Sequence, residues 1–102
     1  MPKTVSFSPS TDVNTTTDTI NIASHGLGTI DGVIYRNGNG ASIGGLVHNT
    51  KYYVIVVDSD NIKLATTEIN ARSSTAVDLL TTGTGTTHSL EFTTIFPKET
   101  AV

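Results

Sequence analysis

Lys51-Tyr-Tyr-Val-Ile-Val-Val-Asp58, followed closely by Asn61-Ile-Lys-Leu-Ala-Thr66, decides the fold class. The first run is the longest apolar, β-branched stretch in the chain. Val, Ile and Tyr suit a pleated, half-buried surface, and a run of this length is a strand, not a helix. Its apolar residues are nearly continuous, which predicts cover on both faces over part of its length. The second run alternates. Ile62 and Leu64 share one face and Lys63 and Ala65 the other, the period of a strand with one dry side. Asp58-Ser59-Asp60-Asn61 between them is rich in turn formers, so the pair reads as a β-hairpin.

Further strands follow on either side of this hairpin. Thr19-Ile-Asn-Ile-Ala23 alternates with Ile20 and Ile22 inward, and Val33-Ile-Tyr35 is a second strand. Asn37-Gly-Asn-Gly40 is a tight connection whose residues tolerate positive φ. Ile43-Gly-Gly-Leu46 offers two apolar side chains to plug one end of a barrel. Thr67-Glu-Ile-Asn-Ala-Arg72 is the one candidate helix, capped by Thr67, with Ile69 and Ala71 toward the core. Ala76–Leu80 and His88–Phe96 complete the strands, separated by the small-residue connection Thr81–Thr87. The expected architecture is all-β: a small barrel or sandwich of five to six antiparallel strands with one short helical turn. Pro2, Pro9 and the Asn14–Asp18 cluster mark residues 1–17 as an N-terminal arm, dispensable for folding, in which Val5 and Phe7 alternate with Thr4 and Ser6 as a short strand or extended segment. Residues 18–96 form the barrel-like domain and 97–102 a flexible tail.

The 102 residues make one domain. There is no cysteine, hence no disulfide framework and no thiolate chemistry. Net charge is -3 and the six Lys and Arg are scattered, so no basic face points to nucleic acid. No run approaches the roughly 20 apolar residues that span a bilayer, and the N-terminus lacks the apolar core of a signal peptide. A soluble product made in a cytoplasm is expected. Thr fills 19 positions, and many polar, uncharged surface positions suit a protein that packs on a neighbour.

No constellation of catalytic residues is visible. Asp58-Ser-Asp60-Asn61 opens like a calcium loop, but Ile62 and Lys63 stand where further ligands and a Gly belong. A hairpin turn is the reading. His25, His48 and His88 do not pair at metal-ligand spacing; His25 and His88 are expected at strand ends, hydrogen-bonded to backbone. No acid pair or triad stands out, so neither enzymatic activity nor a cofactor nor a metal is expected. Tyr52 and Tyr53 are consecutive and face opposite sides of a strand, which argues against a joint sugar-stacking platform. Tyr35 and Tyr53 are the candidate glycan contacts.

Several pieces in fixed order carry a resemblance. They are His25-Gly26-Leu27, Asp31-x-Val33-x-Tyr35, Gly45-Leu46, Thr50-x-Tyr52-Tyr53-Val54 with Asp58, Ile62-Lys63-Leu64-Ala65-Thr66-Thr67, Asn70-Ala71, and Thr82-Gly-Thr-Gly-Thr86-x-His88-Ser-Leu90. Together, over residues 17–90, this resembles a small β module of tailed-bacteriophage virion proteins. That module recurs in tail-fibre, baseplate and capsid-decorating proteins, and in repeated copies in large bacterial adhesins. One departure is Ile30, where the pattern has Gly before the Asp; the turn is then expected to lean on Gly32. The resemblance brings no catalytic motif. It implies a structural virion protein, made in the host bacterial cytoplasm. A module standing nearly alone with arms resembles a capsid decoration (cement) protein bound to the outer shell. The alternatives are a tail-fibre or baseplate component, or a glycan-binding adhesin module. The implied partners are the major capsid protein or other virion proteins and further copies of the chain, a trimer among the options. Neither nucleic acid nor membrane is implied. Val5, Phe7, Phe92 and Phe96 are the candidate assembly contacts.

Overall fold

The computed structural model describes residues 4–93. Its strands are β1 (Thr4–Phe7), β2 (Val13–Asn14), β3 (Thr19–Asn21), β4 (Gly32–Arg36), β5 (Thr50–Asp58), β6 (Asn61–Ala65) and β7 (His88–Phe92). Two short helices join them, α1 (Pro9–Asp12) and α2 (Glu68–Arg72). All seven strands form one antiparallel sheet in the order β1-β7-β4-β5-β6-β3-β2. The expected all-β class is therefore found. No ladder joins β1 to β2, so the sheet is not a closed barrel, and the strands do not divide into a two-sheet sandwich.

The connection between those outer strands dictates the shape. In a flat sheet, six spacings of about 4.8 Å would hold β1 and β2 about 29 Å apart. Yet only Ser8–Asp12 link them, and Pro9–Asp12 are helical. Even fully extended, such a link reaches roughly 20 Å. The sheet must curl until α1 spans the gap where a closing ladder would run. Pro9 at the first helical position is pre-set for the turn, and the Asp12 carboxylate accepts the Ser8 N–H at 2.7 Å.

This corrects the expected N-terminal arm. Residues 4–14 supply both edges of the sheet, and Phe7, Pro9 and Val13 are buried. Removing them strips the core, so they are not dispensable for folding. The tail expected over 97–102 lies outside the described residues.

The concave face holds the main core. Val54 and Tyr52 of β5 face it with Ile62 and Leu64 of β6, Val33 and Tyr35 of β4, Ile20 of β3 and Leu90 of β7. Ile43, Leu46 and Leu79 come from loops and close the open ends. The convex face of β5 and β6 carries a second cluster, Ile55 and Ala65, covered by Ala71 of α2. The continuous apolar run in β5 thus serves two layers. Thr67 caps α2 by accepting the Asn70 N–H at 3.0 Å. Ala71 is buried as expected, but Ile69 is 75% exposed, because residues two apart on a helix point to opposite sides.

The strand expected over Ala76–Leu80 does not form. Its backbone is bonded to scattered partners instead of a ladder. The Val77 N–H goes to the Leu64 carbonyl, the Leu80 N–H to the Gly44 carbonyl and the Leu79 N–H to the Asp18 carboxylate. Leu79 is buried as a plug instead of a ladder residue.

Ile30 itself adopts φ +83, and Gly32 is not in the left-handed region, so the turn does not lean on Gly32. A β-branched residue there is strained by about 1–3 kcal/mol. Its half-buried side chain packs on the Ile55 cluster, worth about 1 kcal/mol. Ile30→Gly is therefore expected to unfold at the same or higher urea concentration than the parent. A drop of more than about 1 kcal/mol would show the strain is not there.

Candidate functional site

The groups that could carry chemistry are drawn into the fold. Tyr35 is fully buried on β4. Its hydroxyl accepts the Ile43 N–H at 2.9 Å and lies 2.8 Å from Nδ1 of buried His88. His88 Nε2 lies 2.8 Å from the Thr84 carbonyl. A carbonyl only accepts, so Nε2 carries the proton, and in the neutral ring Nδ1 accepts from the Tyr35 hydroxyl. Phe7 packs edge-on against the same imidazole, centroids 5.8 Å apart. This chain of bonds ties the 37–49 loop and the 81–87 loop to the sheet. Tyr35, Ile43 and His88 are fully buried, and the bonds act as a structural clamp.

His25 does the same at the other end of the sheet. Its Nε2 lies 2.8 Å from the Asp58 carbonyl and its Nδ1 accepts the Leu27 N–H at 2.9 Å. Both imidazoles thus bond backbone, as read from the sequence. The Asp58 carboxylate accepts the Asp60 N–H at 2.8 Å and the Asn61 side-chain amide at 3.0 Å. It closes the hairpin turn instead of opening a calcium loop. Among the described residues no three His, Asp or Glu side chains converge on a metal position.

The bonds move two titrations. The Asp60 N–H first, then the Asn61 amide, hold the exposed Asp58 carboxyl below its ordinary range. Burial, opposed by the Ile43 N–H, raises the Tyr35 phenol above its ordinary value of 10.0. Above about pH 10 the unfolded chain gives up that proton while the native one keeps it. Native protein then holds more protons, so stability falls with rising pH. The contribution is complete below about pH 10 and is lost as pH climbs through the folded value. Urea midpoints taken between pH 8 and 11 are expected to fall more steeply for the parent than for Tyr35→Phe.

The expected contact residues divide. Tyr35 is buried and cannot stack on a glycan. Phe7 is 4% exposed and belongs to the core, so it is not an assembly contact. Tyr52 is also buried, its hydroxyl accepting the Val47 N–H at 2.8 Å. Tyr53 is half-buried, and the Lys51 ammonium lies over its ring at 5.2 Å from the centroid, which occupies a stacking face. Val5 and Phe92 are half-buried on adjoining strands. Phe96 lies outside the described residues. Among the described residues the exposed large apolar side chains are Val47, Val57, Ile69 and Leu80, none of which the alternation of the sequence singled out. The sequence cue for Ile69 was its helical offset from Ala71. Leu80 follows buried Leu79 and is itself exposed.

Comparison with known protein families, with curated proteins and with solved structures found no match. The geometry defines a curled antiparallel β module. Among the described residues, no buried side-chain nitrogen or oxygen lacks a hydrogen-bond partner.

Proposed function

We propose that this chain is a structural virion protein of a tailed bacteriophage, a decoration protein that binds the outer face of the assembled capsid. The observation that carries the reading is where the shared residues go. His25, Tyr35, Tyr52, Asp58 and His88 all spend their polar groups on the module's own turns and loops. A module built this way offers a surface instead of a reaction. Its surface is rich in uncharged Thr, Ser and Asn and punctuated by Val47, Val57, Ile69 and Leu80, which suits docking on a protein lattice. The partners in this reading are the major capsid protein and further copies of the chain. A tail-fibre or baseplate location is the second reading, since the module this chain resembles occurs there. A glycan-binding role is weakened by the burial of Tyr35 and by Lys51 over Tyr53.

Purified virions, labelled with an antibody to this chain and viewed by electron microscopy, are expected to carry label over the capsid. Label on the tail would favour the second reading, and virions without the chain would overturn both. Added to bare particles, Leu80→Asp with Val47→Asp is expected to bind about tenfold or more weakly, the loss of one to two interface anchors, with unchanged thermal unfolding.

A further inference from the structure

Two of the chain's seven asparagines, Asn37 and Asn39, precede a glycine. The others precede Thr, Ile or Ala, whose side chains crowd the backbone nitrogen between the two residues. That nitrogen is a latent nucleophile toward Cγ of the preceding asparagine, and a glycine, with no Cβ, leaves the approach open. The fold sets the two Asn-Gly pairs apart.

Asn37 to Gly40 form a tight turn. Gly38 at φ +59 and Asn39 at φ +72 are both left-handed. The Gly40 N–H donates to the Asn37 carbonyl at 3.0 Å, the pattern of a type I′ turn. The Asn37 side chain is held at both ends. Its Oδ1 accepts the Asn39 N–H at 3.1 Å and its Nδ2 donates to Ser42 Oγ at 3.1 Å. Asn39 is exposed, and its side chain makes no hydrogen bond among the described residues.

Attack at either Cγ needs rotation of a backbone bond in this turn, and either rotation breaks the Asn37–Gly40 bond. Opening of the turn is therefore common to both sites. It is resisted, because Gly38 and Gly40 lie against the Thr87 and Thr84 carbonyls. Beyond it, Asn37 must also give up two side-chain bonds and Asn39 none.

We propose that Asn39–Gly40 is a site of spontaneous deamidation, gated by opening of the 37–40 turn. The Gly40 nitrogen gives its proton to water or hydroxide and attacks Asn39 Cγ. A C–N bond forms, the Cγ–Nδ2 bond breaks, and the amide nitrogen takes up a proton and leaves as ammonia. Water then adds to the cyclic imide, with no change of oxidation state. Cleavage at Cγ leaves aspartate at position 39. Cleavage at the backbone carbonyl leaves isoaspartate, whose main chain runs through Cβ and Cγ. The isoaspartate form carries an extra main-chain carbon beside Thr84, where even a Cβ has no room. The turn then cannot reclose, and the 37–49 loop loses its hold. This ageing does not depend on the virion reading and fails separately from it.

Peptide mapping by mass spectrometry tests it on the full chain, folded in mildly alkaline buffer and, in parallel, unfolded in guanidinium. In the folded chain position 39 is expected to convert, more slowly than in guanidinium. Position 37 is expected to convert about tenfold more slowly than 39, the worth of two hydrogen bonds. Unfolded, the two are expected to convert at similar rates. The isoaspartate form is expected to unfold at lower urea than fresh protein, while Asn39→Gly, which suits a left-handed φ, keeps its midpoint through the same ageing. No conversion at 39 in the folded chain while the unfolded chain converts overturns the proposal. So does folded conversion at 37 as fast as at 39, or folded conversion at 39 as fast as unfolded. A parental midpoint for the isoaspartate form, or an equal loss in aged Asn39→Gly, overturns the unlocking of the loop.

Discussion

Gly40→Ala is expected to destabilise the protein by about 3 kcal/mol, the upper end of the cost of overpacking. A Cβ at this position would stand 2.0 Å from the Thr84 carbonyl oxygen, 2.7 Å from its carbon and 3.0 Å from Gly85 Cα. All three are backbone atoms, so no side chain can rotate out of the way. Neighbouring glycines repeat the pattern along the same seam. Gly38 faces the Thr87 carbonyl, Gly44 faces Thr81 and Gly45 faces the Asp78 carbonyl. The 37–46 and 78–87 segments therefore run antiparallel at a spacing that admits no side chain. Parting them would lift Ile43, Leu46 and Leu79 from the core ends they close. Gly28→Ala is the control. Its nearest neighbour would be the Asp31 carboxylate at 3.6 Å, an ordinary contact, and its φ is not positive. It should be neutral or stabilising by up to about 1 kcal/mol through the unfolded chain. Urea midpoints of the two variants measure the difference. Equal midpoints would mean the two loops are not in backbone contact.

That seam shows where reading the sequence stops. The glycines at 38, 40, 83 and 85 are visible as permissive connections, but period and composition cannot say that two connections pack on each other. The hairpin over 51–65 was legible because alternation is a local signal: Val54 pairs with Leu64 and Val56 with Ile62, on the face their spacing assigns. Ile20, Ile22, Val33 and Leu90 were legible for the same reason. The alternation over Thr4–Phe7 allowed a short strand, which is found, but the flanking prolines placed it in an arm, and only the curl of the sheet makes it an edge. Ala76–Leu80 has strand composition, yet an Asp18 carboxylate 61 residues away takes one of its amides, a competition no window reveals. Tyr35 as a candidate glycan contact misled for a related reason. A phenol suits both a sugar platform and a buried clamp, and the choice depends on whether a backbone N–H from a distant loop meets the hydroxyl.

Tyr35→Phe makes that choice measurable and is expected to cost about 2–5 kcal/mol. The ring is retained, so apolar burial scarcely changes. What is lost is one oxygen serving two buried partners, the Ile43 N–H and His88 Nδ1. Each loses its partner in a fully buried setting, since Tyr35, Ile43 and His88 all have 0% exposure. A buried group left unpaired costs about 1–3 kcal/mol, and the two add unless the loop relaxes. Tyr52→Phe provides the scale. Its hydroxyl serves a single, partly buried N–H, that of Val47, and its loss should cost about 1 kcal/mol. The two variants together pull on both ends of the 43–47 loop, so their effects are expected to couple instead of adding. Hydrogen exchange gives the local test: the Ile43 amide should lose protection in Tyr35→Phe while core amides of β5 and β6 keep theirs relative to global stability. A Tyr35→Phe protein within about 0.5 kcal/mol of the parent, with Ile43 still protected, would mean that the hydroxyl does not hold the loop. The clamp at the heart of the module would then have to be sought in the glycine seam alone.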